Sequence, residues 1–159
     1  MIINNNEKPA QPQEIERKFL VKKMPKNLEQ YPHKEIMQGY LSISDDGTEV
    51  RLRQKGSRYY KTEKSGRGKI RLETETEITK DQFDELWKNT KSKRVEKTRY
   101  EIKHENGLIE LDVYHGDLEG LISAEMEFQN EESSNNFVAP EWMSEEVTED
   151  KRYKNQNLA

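Results

Sequence analysis

The stretch Glu14-Ile15-Glu16-Arg17-Lys18 decides the fold, because it begins the first predicted strand and already shows the strand's two faces. Successive strand side chains point to opposite faces, so Ile15 and Phe19 lie on one face while both glutamates and the lysine share the other. Two carboxylates and an ammonium group on one face could hold a hard divalent cation together with the anion that this cation neutralises. On a lone strand the same pattern is more often a solvent-exposed face, so the interpretation depends on the later strands.

Those later strands repeat the alternation of apolar and charged residues. The pattern predicts further strands over residues 34–42, 48–54, 58–64, 70–78, 93–103, 108–115 and 121–128. A T-x-x-Q capping box at residues 79–82 predicts a helix over 80–89, and a shorter helix is expected over 131–137. Asn106-Gly107 is typical of a hairpin turn, and residues 145–157 are expected to form a polar C-terminal segment with some helix.

Length and composition limit the class of protein. The chain has 159 residues, which is enough for one domain with a core. We expect a flexible N-terminal tail over residues 1–12 and a single domain over 13–159. The formal net charge of −4 gives no basic field for nucleic acid, and the absence of cysteine excludes disulfides and thiolate metal sites. No signal peptide or membrane-length apolar run is found, so the cytoplasm is the expected compartment.

The charged strand faces are expected to turn inward. Charged residues make up 36% of the chain and apolar residues 31%. Along the predicted strands the charged residues alternate with the apolar ones, so one sheet face is charged almost throughout. We therefore predict a mainly β fold of the α+β type, in which eight antiparallel strands close into a tunnel-like barrel with a few helices outside. Burying these charges requires dense acid–base pairing or a highly charged ligand. The inward set comprises Lys18, Arg51, Arg53, Lys64, Arg71, Lys97 and Arg99, with the acids Glu14, Glu16, Glu49, Glu73, Glu75, Glu110, Asp112, Glu125 and Glu127.

The chemistry of this set suits a polyphosphate and its metal ion. The planar fork of arginine binds phosphate oxygens bidentately, and lysine supplies a compact charge. Carboxylates suit magnesium or manganese, which prefer oxygen ligands. Together these groups indicate a phosphoryl-transfer site that has no phosphate-binding glycine loop.

Six segments, taken in chain order, resemble one known family. They are E-I-E-R-K-F-L from Glu14, R-L-R from Arg51, Lys64-Ser65, V-E-K-T-R-Y from Val95, L-D-V from Leu111 and A-E-M-E-F from Ala124. This ordered series is similar to the CYTH superfamily, also called triphosphate tunnel metalloenzymes, and the end of the chain looks like the short bacterial inorganic triphosphatases. The resemblance runs from Gln13 to the C-terminus.

The resemblance implies an eight-stranded antiparallel tunnel that binds triphosphate groups with a divalent metal, Mg²⁺ or Mn²⁺. It implies that Lys18, Arg51, Arg53, Lys64, Arg71, Lys97 and Arg99 contact phosphate, with Lys18, Lys97 and Tyr40 also as catalytic residues. It further implies that Glu14, Glu16, Glu75, Asp112, Glu125 and Glu127 hold metal. Tyr40 is equally well interpreted as an ordinary aromatic residue of the sheet.

Three functions remain open at this point. Hydrolysis of inorganic tripolyphosphate to pyrophosphate and phosphate is favoured. Chemistry on an organic triphosphate, either thiamine triphosphate hydrolysis or class IV adenylate cyclisation, is the alternative within the same fold. A non-catalytic polyphosphate-binding module is the third. The expected partner is a small triphosphate, with no nucleic acid or membrane, and the protein is expected to be a monomer or homodimer.

Overall fold

The computed structural model describes residues 15–65, 72–90, 93–105 and 107–159, except for the side chain of Gln156. The predicted tail and the residues Glu14, Arg71 and Asn106 lie outside these ranges. The strands are β1 (Ile15–Val21), β2 (His33–Ile43), β3 (Glu49–Lys55), β4 (Arg58–Ser65), β5 (Leu72–Ile78), β6 (Arg94–His104), β7 (Gly107–Tyr114), β8 (Ile122–Phe128) and β9 (Met143–Glu146). The helices are α1 (Lys80–Trp87), α2 (Glu131–Asn136) and α3 (Asn155–Leu158), with 3₁₀ turns at Leu28–Gln30, Lys88–Thr90, Gly116–Leu118 and Lys151–Tyr153.

All nine strands belong to one antiparallel sheet, which confirms the mainly β prediction. The order across the sheet is β5-β4-β3-β2-β6-β7-β8-β1-β9. The predicted closed barrel of eight strands is not found: in the described part of the chain the sheet has nine strands and ends at β5 and β9. The added strand β9 pairs with β1 through Phe19 opposite Glu146 and Val21 opposite Met143. Because β9 occupies this edge of β1, that edge cannot pair with β5 to close the sheet.

One apolar core lies on the face of the sheet opposite the charged residues. Phe19 of β1 lies opposite Ala124 of β8, which in turn lies opposite Leu111 of β7. These side chains are 4%, 0% and 0% exposed, and Met143 of β9 joins the same cluster. The ring of Phe137, which follows α2, lies 5.9 Å from that of Phe19. Burying a large apolar side chain contributes about 1.5–3 kcal/mol, so this cluster holds the β1, β7 and β8 part of the sheet together.

Helix α1 packs on the outside of β2, β3 and β4, and its capping box is as predicted. The Thr79 hydroxyl accepts from the Gln82 backbone N–H at 3.1 Å, and the Gln82 side chain accepts from the Thr79 N–H at 2.9 Å. Phe83 is 2% exposed and stacks between the rings of Tyr59 and Trp87. Helix α1 ends two residues earlier than predicted, because residues 88–90 form a 3₁₀ turn.

A glycine of β2 allows this close packing. A Cβ atom at Gly39 would lie 2.7 Å from Thr90 Cβ and 2.9 Å from the Trp87 ring, too close for any side chain. Gly39 therefore faces the helix, and its neighbours Gln38 and Tyr40 point to the opposite, charged face. Within the described ranges, none of the helices has the length and apolar character needed to cross a membrane.

Candidate functional site

The strand register brings the predicted charged residues onto one face of the sheet. Directly opposed residues of an antiparallel pair carry their side chains on the same face. Lys18 lies opposite Glu125, Tyr40 lies opposite Arg51, and Arg99 lies opposite Asp112. Following such pairs across the sheet places on this one face Glu16, Lys18, Tyr40, Glu49, Arg51, Arg53, Lys64, Glu73, Glu75, Lys97, Arg99, Glu110, Asp112, Glu125 and Glu127.

Part of this charged face borders a cavity of about 400 Å³. The sheet lines the cavity from five strands, β1, β2, β3, β4 and β8. The C-terminal segment after β9 closes its other side. The lining comprises Glu16, Lys18, Tyr40, Glu49, Arg51, Lys64 and Glu125 of the sheet and Val147, Thr148, Asp150, Tyr153, Lys154 and Asn155 of the C-terminal segment. Only one of these side chains is aliphatic, so the cavity suits a polar or charged ligand.

Two arginines on adjacent positions of the charged face form no ion pair with a described carboxylate; Arg51 is buried and Arg53 is half-buried. Arg51 is 7% exposed, and its buried Nε has no hydrogen-bond partner among the described residues. The Nε of Arg53 donates to Gln38 Oε1 at 3.2 Å, and no described carboxylate lies within 4.0 Å of either guanidinium. Burial lowers the pKa of Arg53 to about 10; the positive charges of Arg51 and Arg99 act in the same direction, and the negative charge of Glu75 opposes them. The two guanidinium groups therefore present positive charge that no described ion pair neutralises.

A second basic cluster on the same face is neutralised internally. Lys97 Nζ lies 2.9 Å from Asp112, and Arg99 binds both Asp112 oxygens at 2.8 and 2.9 Å. Burial is the largest influence on the pKa of Asp112 and raises it, but Lys97 and Arg99 together hold that pKa below its usual range. Burial lowers the pKa of Lys97 to about 8, against the attraction of Asp112. This cluster is a paired ionic network that stabilises the interior.

The C-terminal segment contacts two of the predicted lysines. Lys18 Nζ donates to the Tyr153 carbonyl at 2.5 Å, and Lys97 Nζ lies 3.5 Å from Asn155 Oδ1. The hydroxyl of Tyr114 also donates to Asn155, at 3.2 Å. Burial lowers the pKa of Lys18, while the charge of Glu125 opposes this shift. A neutral carbonyl satisfies the Lys18 ammonium without removing its charge, so the lysine can still attract an anion.

Tyr40 lies in the cavity wall beside Arg51. It is 3% exposed, and burial raises its pKa, while the neighbouring Arg51 charge acts in the opposite direction. The phenol is therefore a neutral hydrogen-bond donor at physiological pH. Its position among charged groups distinguishes it from an aromatic of the apolar core.

Comparison with known proteins identifies the family. The profile of the CYTH domain matches residues 12–158. The chain belongs to the CYTH domain family. It is 49% identical over 148 residues to an inorganic triphosphatase of Nitrosomonas europaea, covering 92% of this chain and 96% of that protein. It is 36% identical over 152 residues to an inorganic triphosphatase of Acetivibrio thermocellus, covering 91% and 92%. A crystal structure of an inorganic triphosphatase matches with a TM-score of 0.79 at 46% identity, covering 92% of this chain and 93% of that one.

The carboxylates of this CYTH domain can be tested for their fit to a divalent metal. Glu16 and Glu125 line the cavity on neighbouring strands. Mg²⁺ usually takes one or two carboxylates and completes its shell with water and substrate phosphates, so this pair suits it. Asp112 is instead engaged by Lys97 and Arg99, and Glu75 accepts from Thr62 at 3.2 Å. Nowhere in the described ranges do three His, Asp or Glu side chains form a group that could hold the ion without a substrate.

Sequence reasoning missed three features of the site in the CYTH domain. Lys55 continues the alternation of β3 by one residue and lies on the charged face opposite Ile36. Gln38 lies two residues before Tyr40 and therefore shares its face. The alternation could have revealed both residues. The contacts of Tyr153 and Asn155 had no sequence signal, because the segment that carries them shows no alternation. The predicted site residues Glu14 and Arg71 lie outside the described ranges.

Proposed function

We propose that this CYTH domain hydrolyses inorganic tripolyphosphate to pyrophosphate and phosphate, with Mg²⁺ or Mn²⁺ as its metal. The observation that carries the proposal is the pair of arginines on β3, Arg51 and Arg53, whose guanidinium groups form no ion pair with a described carboxylate. Burying uncompensated positive charge is strongly unfavourable unless a ligand of opposite charge relieves it. The names of the two bacterial relatives support the same substrate.

The polar lining of the cavity favours an inorganic substrate over an organic triphosphate. A purine or thiazolium ring is normally held in a largely apolar pocket. In the described lining, Val147 is the only aliphatic residue, and the aromatic side chains are those of Tyr40 and Tyr153. This surface offers charges for every phosphoryl group of a tripolyphosphate and little area for a base.

In this proposal the chain's own groups bind and orient the polyphosphate. Arg51 and Arg53 present forked donors that can bind phosphate oxygens bidentately, and Lys18 adds a compact charge from β1. The neutral phenol of Tyr40 donates a hydrogen bond next to Arg51. Donors fixed before the substrate arrives stabilise the charge that develops during phosphoryl transfer without further reorganisation. A metal ion held by Glu16 and Glu125 would neutralise phosphate charge and supply an activated water when bound.

A phosphate-release panel tests the proposal. The substrates are tripolyphosphate, ATP, thiamine triphosphate and pyrophosphate, each with Mg²⁺ or Mn²⁺, and cyclic AMP is measured separately for ATP. We expect the highest kcat/KM for tripolyphosphate, with one phosphate and one pyrophosphate formed per turnover. Preferred turnover of ATP or thiamine triphosphate would replace the assigned substrate, and no turnover of any compound would leave only a binding function.

A further inference from the structure

Gln38 is a fully buried polar residue in the centre of the charged face. It is 0% exposed and lies opposite Arg53 on β3 and Val95 on β6. Its Oε1 accepts from Arg53 Nε at 3.2 Å, while its Nε2 is buried and has no hydrogen-bond partner among the described residues. Most buried polar groups in proteins are paired. An amide whose Nε2 has no described partner, beside an arginine that forms no described ion pair, therefore requires an explanation.

The contrast between Arg53 and Arg99 supplies this explanation. Arg99 is oriented by Asp112, whose carboxylate binds it bidentately, and Glu110 at 3.2 Å helps to offset its charge. Arg53 is oriented by an amide, which accepts the same kind of hydrogen bond but carries no charge. A neutral acceptor thus fixes the guanidinium and leaves its full positive charge available to an anion.

We propose that Gln38 is a positioning residue for triphosphate binding: its oxygen orients Arg53 without neutralising it, so that the guanidinium keeps its charge for the bound ligand. This inference rests on the proposed function and adds a specific role to it. Gln38 is thus predicted to select for highly charged anions.

The decisive variant is Gln38→Glu, which keeps the shape of the side chain and its acceptor oxygen but adds a negative charge beside Arg53. Binding is measured by calorimetry with tripolyphosphate in excess chelator, so that no hydrolysis occurs. We expect the dissociation constant to rise about tenfold or more, because the new carboxylate competes with the ligand for Arg53. In the same variant the melting temperature of the ligand-free protein should stay equal or rise, because the carboxylate offsets the repulsion among neighbouring cations.

Two further variants separate positioning from a merely structural role. Gln38→Met keeps the approximate volume and removes the amide, so tripolyphosphate affinity should fall several-fold, less than in Gln38→Glu. The matched control is Gln54→Glu, which makes the same chemical change next to Arg53 in the chain but on the opposite face of β3, where Gln54 donates to the Gly56 carbonyl. Its affinity for tripolyphosphate should remain within about twofold of wild type.

The combination of outcomes decides the inference. A positioning role predicts that Gln38→Glu loses affinity without losing stability, whereas a packing role predicts that both fall together. Wild-type affinity in Gln38→Glu, or a loss equal to that of Gln54→Glu, would overturn the role of Gln38 while leaving the proposed hydrolysis intact. If Gln38→Glu does not fold, wild-type affinity in Gln38→Met overturns it instead. Failure of the wild-type protein to bind tripolyphosphate would overturn the proposed function and this inference together.

Discussion

The uncompensated charge of Arg51 and Arg53 leads to a quantitative prediction about ligand-dependent stability. Replacing both residues by alanine removes two guanidinium groups that form no described ion pair, one buried and one half-buried. On the proposed function, tripolyphosphate would relieve their repulsion and would bind only the folded state. We therefore expect it to raise the melting temperature strongly in the wild type and hardly at all in the double variant.

The size of the effect follows from binding linkage. At a ligand concentration one hundred times the dissociation constant, stabilisation is about 2.7 kcal/mol, which corresponds to about 5–11 °C for a chain of this size. Each charged hydrogen bond contributes about 1.5–3 kcal/mol, so losing two weakens binding about 150-fold or more. At the same ligand concentration the stabilisation then falls to about 0.3 kcal/mol, or about 1 °C.

The assay is a thermal melt in excess chelator, with sulfate at matched ionic strength as the reference salt. Screening of exposed charges would make both salts act alike, so the informative quantity is the difference between them. Lys22→Ala combined with Lys23→Ala removes the same amount of charge from an exposed loop and should keep the full shift. Equal melting temperatures in tripolyphosphate and sulfate, or a full shift in the arginine double variant, would refute the assignment of this face as an anion site.

Two further predictions concern the metal and Lys97. Excess chelator should abolish tripolyphosphate turnover, and Glu125→Gln should lower kcat far more than it weakens binding measured without metal; full activity in chelator would contradict the metal assignment. The folded-state pKa of Lys97 is about 8 and its ordinary value is 10.5, so between these pH values the unfolded state binds more protons and the stability contribution rises with pH. Lys97→Met should flatten that rise in denaturant unfolding measured from about pH 8 to 10.5, and an unchanged slope would show that Lys97 is not the group responsible.

Local patterns in the sequence predicted the parts of the fold that depend on neighbouring residues. Alternation assigned Lys18 and Phe19 to opposite faces, and the Thr79 capping box placed the start of α1, because both signals arise within a few residues. Strand β9 was missed because four residues, M-S-E-E, are too few to show a period. The closure of the sheet was predicted wrongly for the same reason, since it depends on which strand occupies the free edge of β1.

The site was predicted less completely than the face that carries it. The strand register places Arg51 and Arg99 on one face of the sheet, as predicted. Nothing in the sequence, however, distinguishes the environments of the two side chains. Asp112 approaches Arg99 because β6 and β7 pair in one particular register, whereas Arg51 forms no described ion pair and its Nε has no hydrogen-bond partner among the described residues. Which charges are paired depends on contacts between strands distant in sequence, and such contacts are not encoded in a short pattern.

This unequal pairing relates stability to function within one sheet. Strands β6 and β7 pair Lys97 and Arg99 with Asp112, so that part of the charged face is stabilised without any ligand. Strands β2 and β3 instead use a neutral amide on Arg53 and leave Arg51 Nε without a partner among the described residues, which lowers the stability of the empty protein. A polyanion would remove this penalty only when bound, so its binding energy is concentrated at β2 and β3. An acid at position 38 would make the empty domain more stable and the site weaker. The neutral amide of Gln38 therefore favours ligand binding at the expense of stability, whereas the carboxylate of Asp112 favours stability.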